Sequence, residues 1–201
     1  PDVFGSEVTT DLSRLKDKLP PFSGKLARAA LVEEFGLEEA NRLFPDLGPP
    51  IAAASLAQVH RMDTVGGARA VKILRPGIEG QLTRELSAMK RAARTIEGVS
   101  VESRRLKPVA FTDTIAAAMM RETDLRLEAG GADEMRELSQ KSGYFQVPKV
   151  DWDRTGRRVL TTDWVEGTPL TDPAALANPA IDRAALANDI TRGFLTHAIE
   201  H

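Results

Sequence analysis

Apolar residues recur at helical spacing at Val8, Leu12, Leu15 and Leu19, behind a plausible cap at Ser6 and ahead of the stop Pro20-Pro21. A second helical pattern starts after Ser23 and runs through Leu26, Ala29 and Ala30 towards Phe35, and a shorter one follows around Leu37 to Phe44. These predict a helical extension that packs on its neighbour through one face. The character then turns to β: Leu56–Met62 and Ala68–Leu74 flank the turn signal Gly66-Gly67, and Pro76-Gly77 ends the sheet segment. Ile78, Leu82, Leu86, Met89, Ala93 and Ile96 mark the cleanest amphipathic helix in the chain. A loop near Gly98 to Ser103 precedes helical stretches over about 112–123 and 124–140, the second weakened by Gly130-Gly131. Val147–Trp152 and Arg158–Val165 read as a second hairpin around Asp153-Arg154-Thr155-Gly156. After the break "EGTPL", a last helix begins near Asp182 with Leu186, Ile190, Phe194 and Ala198 on one side.

That order predicts an α+β fold: an antiparallel sheet plus helices resembling the small lobe of a protein-kinase-like fold. The division expected is a helical extension over 1–48, the lobe with inserted helices over 49–170, and the start of a helical large lobe over 171–201. With 42% hydrophobic residues in 201, the chain can bury a core. Its 27 basic and 29 acidic residues nearly cancel, which argues against nucleic acid as a partner. Absent cysteine excludes disulfides and thiolate metal sites and fits a reducing compartment. The longest apolar run, Ile115–Met120, is far short of the roughly 20 residues of a membrane span. The chain begins with Pro1 and stops inside a helical pattern, and so reads as a fragment.

A lysine on the third strand of such a lobe can neutralise the α- and β-phosphates of a nucleotide when a helix carboxylate holds it. Lys72 in "RAVKIL" is the candidate, and strand alternation places Ala70 beside it on the same face, where a small side chain leaves room for adenine. In "RETDLRLEAGGADEM", Asp124 and Glu128 are four apart on one helix face, so either could meet Lys72. Glu122 lies six residues from Glu128, so both can reach one pocket only if the helix bends or breaks between them. Trp152 and Trp164 read as core and hinge packing. His197 and His201 are four apart but lack a third ligand, so no metal site is expected.

Taken in order and spacing, "PPIAAASLAQVH", "ARAVKILRPGI", "RETDLRLEAGGADEM" and "RVLTTDWVEGTPL" resemble the UbiB family of atypical protein-kinase-like proteins, which support ubiquinone biosynthesis. The likeness covers nearly the whole chain, and the alanine-rich run with "SLAQVH" is its most specific part. It implies that Ala52, Ala53, Ala54 and Ser55 replace the glycine-rich loop, with Ile51, Leu56, Ala57, Gln58 and Val59 completing the nucleotide-binding stretch. It makes Lys72 the phosphate-contacting lysine and Glu128 its helix partner. Glu122 and Asp124 match a glutamate-x-aspartate motif, and Asp163, Trp164, Val165 and Glu166 match the hinge along which adenine lies. ATP with Mg²⁺ is the implied cofactor pair, a membrane lipid or ubiquinone-biosynthesis proteins the implied partners, and the cytoplasmic membrane surface the implied location.

Alanine penalises positive φ and adds a methyl where a glycine loop would close over phosphates, so the loop should be stiffer and unsuited to phosphorylating proteins in trans. The family's lysine-x-glycine-glutamine motif belongs before Pro1. Its catalytic-loop aspartate and asparagine and its metal-binding aspartate-phenylalanine-glycine belong beyond His201. The metal ligands are therefore expected outside these residues, and the 201 residues alone are expected not to turn over ATP. The competing reading is a non-catalytic nucleotide-binding switch or scaffold for a lipid-biosynthesis complex. A conventional small-molecule phosphotransferase would instead carry a glycine- or serine-bearing loop.

Overall fold

A computed structural model describes residues 20–99, 101–170 and 172–200. The helix expected from the Val8-to-Leu19 pattern lies outside the described residues, as do His201 and the side chain of His197.

Helix α1 (Gly24–Phe35) starts where Ser23 accepts the Leu26 N–H on its hydroxyl. Gly36, with φ +81°, turns the chain directly into α2 (Leu37–Leu43), a conformation that an L side chain resists. Four strands follow: β1 (Pro50–Ala53), β2 (Ala57–Thr64), β3 (Gly67–Leu74) and, much later, β4 (Val159–Asp163). They form one antiparallel sheet in the order β1-β2-β3-β4. Between β3 and β4 come α3 (Ile78–Val99), the short α4 (Val101–Arg105), α5 (Pro108–Arg121) and α6 (Leu125–Ser142); α7 (Pro173–Leu176) and α8 (Arg183–Glu200) close the chain.

The sheet is buried on both sides by different partners. On one face Met62, Val71, Ile73 and Val159 meet Ala27, Ala30, Leu31, Ala40, Leu43 and Phe44 of the first two helices and the residue after them. On the other, Ala57, Leu74 and Leu160 meet Ile78, Leu82, Leu125 and Ala129. Cross-strand pairs assign the faces: Val59, Lys72 and Leu160 stand opposite one another, and so do Arg61, Ala70 and Thr162. Helices α1 and α2 therefore cover the face turned away from Lys72.

Several expectations need correction. The segment read as a loop over 98–103 contains α4 from Val101. Val147–Trp152 is no strand: only Val150 bridges Thr162, and Trp152–Arg154 forms a 3-10 turn. Pro148 has no N–H for a ladder, and Asp151 accepts Arg154 Nη1 on its side chain and the Thr155 hydroxyl on its carbonyl, favouring a local turn. Trp152 is half exposed, its indole N–H donating to Asp133 at 2.6 Å, so it is not a core residue. Helix α6 runs unbroken through Gly130-Gly131 because Leu125 and Ala129 anchor it in the core. On α8 the apolar side is largely open, with Ile190 and Phe194 exposed. Its Gly193 seats on Phe145 and Tyr144, where an added Cβ would come within 2.5 Å of the Phe145 ring. Among the described residues no helix is long and apolar enough to cross a membrane.

Candidate functional site

Lys72 projects from the middle of β3 and donates from Nζ to both carboxylate oxygens of Glu128, at 2.8 and 2.6 Å. Glu128 lies in the first turn of α6, held there by its buried neighbours Leu125 and Ala129. Of the two carboxylates that helix spacing left open as partners, Glu128, the one the resemblance names, makes the contact. Asp124 is instead the N-cap of α6: its Oδ1 accepts the Arg126 N–H, and both its oxygens receive the Arg126 guanidinium, at 2.9 and 2.6 Å. That hydrogen bond to Arg126 holds the Asp124 carboxyl below its usual range.

The break required between Glu122 and Glu128 is present. Glu122 ends α5, Thr123 is buried with its hydroxyl donating to Met120 O, and Asp124 starts the next helix. Glu122, Asp124 and Glu128 thereby line one cleft of about 520 Å³ with Ala118, Arg121 and Leu127.

The alanine-rich stretch forms the β1–β2 hairpin. Ala52 pairs with Val59 and so stands on the Lys72 face; Ala53 pairs with Gln58 and faces the other way. Ala54 N–H donates to Ala57 O at 2.8 Å, closing a tight turn through Ser55 and Leu56. Among the described residues only Lys107 among non-glycines has positive φ, so this turn is built from conformations alanine tolerates. Ile51 is exposed at the edge, and Ala57 is buried against Leu74.

Gln58 does not face the cleft. It is fully buried beneath the extension, where its Oε1 accepts the Phe22 N–H at 2.9 Å and its Nε2 donates to His60 Nε2 at 2.8 Å. His60 in turn donates from Nδ1 to Gly48 O at 2.6 Å, which sets its tautomer. The physical reason for the reversal is parity: Gln58 and His60 alternate with Ala57 and Val59, and only the latter pair share the Lys72 face. Gln58 and His60 of "SLAQVH" thus fasten the extension to the sheet.

Burial lowers the His60 pKa below its ordinary 6.5, and the bond to Gly48 opposes this only in part. The folded protein then binds fewer protons here than the unfolded chain. Its contribution to stability is intact above about pH 6.5 and is lost as pH falls towards the lowered folded value. The denaturant midpoint is expected to fall between about pH 7 and pH 5, and to fall less in His60→Asn. Equal slopes in both proteins would contradict it.

The hinge residues sit at the far end of β4. Asp163 points to the extension side, its carboxylate 3.0 Å from Arg69 Nη1. Trp164 N–H donates to Ala68 O, its indole N–H reaches Glu166 at 2.7 Å, and the Arg61 guanidinium lies 5.3 Å from its ring centroid. Asp163, Trp164 and Val165 border a separate cavity of about 580 Å³ with Arg136, Ser139 and Phe145; Val165 is exposed. The expected residues therefore fall into three groups on this lobe: the Lys72–Glu128 pair with the cleft that Glu122, Asp124 and Glu128 line, the β1–β2 hairpin, and the hinge beyond Ala70. Arg126 pairs with Asp124, and neither it nor Arg75 was among the expected site residues.

A small antiparallel sheet with a strand lysine paired to a helix glutamate is the ordering of a kinase-like small lobe. The ABC1 atypical kinase-like domain matches residues 14–201, and the chain belongs to that family. Proteins named Probable protein kinase UbiB are similar: that of Marinobacter nauticus is 32% identical over 97% of this chain, and that of Xylella fastidiosa is 33% identical over 97%. The chain spans about 36% of the length of each. Among solved structures, Rv3197 of Mycobacterium tuberculosis, in complex with erythromycin, shares 27% identity at a TM-score of 0.64, over 85% of this chain and 42% of that one.

Proposed function

We propose that this lobe holds an adenine nucleotide for a UbiB-type atypical kinase or ATPase acting in ubiquinone biosynthesis. The observation that carries the reading is the two-pronged Lys72–Glu128 contact on the sheet face that also presents Ala52, Val59 and Ala70. Small side chains there leave a shallow floor for a flat base, and the Lys72 ammonium beside it suits polyphosphate. The nucleotide supplies the phosphoryl group. Glu128 keeps the Lys72 amine at a fixed place, and Asp124, through its cap on α6, keeps Glu128 in the first turn. Among the described residues no group of three or more His, Cys, Asp or Glu is placed to hold a metal ion, so no Mg²⁺ step is assigned to them. A membrane lipid or proteins of ubiquinone biosynthesis are the partners this reading carries with it.

In a thermal titration, ADP and ATP are expected to raise the melting temperature of the intact protein, with phosphate release from ATP separating an enzyme from a nucleotide-binding switch. Absence of any shift with either nucleotide would sink the reading. Ala54→Gly frees a turn that alanine restrains, and ADP affinity is expected to change by roughly threefold or more. Identical affinities would show that the methyl group plays no part in binding.

A further inference from the structure

We propose that Arg75 is a positioning residue that couples the segment ahead of α1 to the alanine turn, so that nucleotide binding and the seating of Pro20–Phe22 are linked. The inference rests on the nucleotide reading of the hairpin. Arg75 leaves β3 with its own N–H donating to Leu56 O at 2.8 Å. Its Nε and Nη2 both donate to Ala54 O, each at 3.2 Å, and the same Nη2 donates to Pro20 O at 3.0 Å. The guanidinium also lies 5.6 Å from the centroid of the Phe22 ring. No carboxylate pairs with it among the described residues, so its charge is spent on two carbonyls and a ring. That use needs the planar fork of arginine, which a lysine ammonium cannot reproduce.

The consequence follows from peptide planarity. Carbonyl and N–H of one trans peptide point in opposite directions. With Ala54 C=O held towards Arg75, the Ser55 N–H is held pointing away from it. That N–H makes no hydrogen bond among the described residues. Arg75 thereby fixes the orientation of a donor that is open among the described residues at the tip of the hairpin, the kind of group that a phosphate oxygen takes up. The same guanidinium holds Pro20, and Phe22 is independently fastened to Gln58. Anything that draws the turn into one orientation also favours the docked segment, and reciprocally.

The test is hydrogen exchange of the intact protein at Phe22 and Ala54, whose N–H groups donate to Gln58 and to Ala57 O, and at Ser55, with and without ADP. In the wild type, ADP is expected to slow exchange at the turn and, in the same titration, at Phe22. Arg75→Ala should speed exchange at Phe22 and Ala54 about fivefold without nucleotide. ADP should then slow the turn alone. Arg75→Lys, which keeps charge and size, is expected to follow Arg75→Ala, and it serves if the alanine variant fails to fold. Protection of Phe22 by ADP in either variant to the wild-type extent would overturn the coupling, as would nucleotide-free exchange that neither variant changes. A wild type that binds no ADP would instead fail the nucleotide reading, while the nucleotide-free comparison still reports on the Arg75 contacts.

Discussion

Lys72→Ala is expected to weaken ADP binding by about tenfold to a hundredfold while leaving the melting temperature of the nucleotide-free protein nearly unchanged. The two halves of that expectation have different physical origins. The Lys72 and Glu128 side chains are 33% and 45% exposed. An ion pair so open to water contributes only about 0–1 kcal/mol to folding, because water and salt screen it. The same amine beside a polyphosphate faces several negative oxygens at close range, where charge-assisted bonds are about twice as strong as neutral ones. Glu128→Gln keeps the helix position but loses the carboxylate that steers the amine, so its effect on affinity should be the smaller of the two. Calorimetric titration with ADP, set beside thermal melts without it, checks both parts. A large loss of stability with intact affinity would make Lys72 a scaffold residue.

Gln58→Leu is expected to destabilise the protein by about 2–4 kcal/mol, the largest effect anticipated for a single polar side chain here. Leucine nearly preserves the volume, so little of the cost comes from a cavity. The cost lies in what remains behind: the Phe22 N–H without an acceptor, and His60 Nε2 without a donor at a site with no solvent access. Leaving a buried polar group unpaired costs about 1–3 kcal/mol, and here the buried His60 ring nitrogen and the part-buried Phe22 N–H are orphaned together. Equilibrium unfolding in denaturant measures the difference. A loss under about 0.5 kcal/mol, the scale of an ordinary surface change, would mean that the Gln58–His60 chain does not fasten the extension.

How far these features could be read from the residues depends on whether the signal is local. Helix α1 and its Ser23 cap, the β2–β3 hairpin and the face shared by Ala70 and Lys72 follow from spacing alone, since period and turn chemistry act within a few residues. The need for a break between Glu122 and Glu128 was legible for the same reason, because six residues cannot share a helix face. The choice of Glu128 over Asp124 was not legible from spacing and came from the family resemblance alone. It depends on Asp124 being taken up by the α6 cap and Arg126, a contest between neighbours that helix spacing does not rank. Gln58 and His60 were illegible for a deeper reason. Polarity places them on a solvated face, and they are buried only because Phe22 and Gly48, remote in sequence, bring backbone partners to them. The Val147–Trp152 strand failed where Pro148 and the Asp151 side chain drew the backbone into a local turn.

The central claim is that the Lys72 amine meets the phosphates of a bound nucleotide. An acyl-phosphate derivative of ATP transfers its acyl group to the lysine lying against the phosphates, and mass spectrometry of the labelled intact protein identifies that residue. Acylation of Lys72 that excess ADP suppresses is the result expected. Acylation of other lysines with Lys72 untouched, or labelling of Lys72 that ADP leaves undiminished, would contradict it.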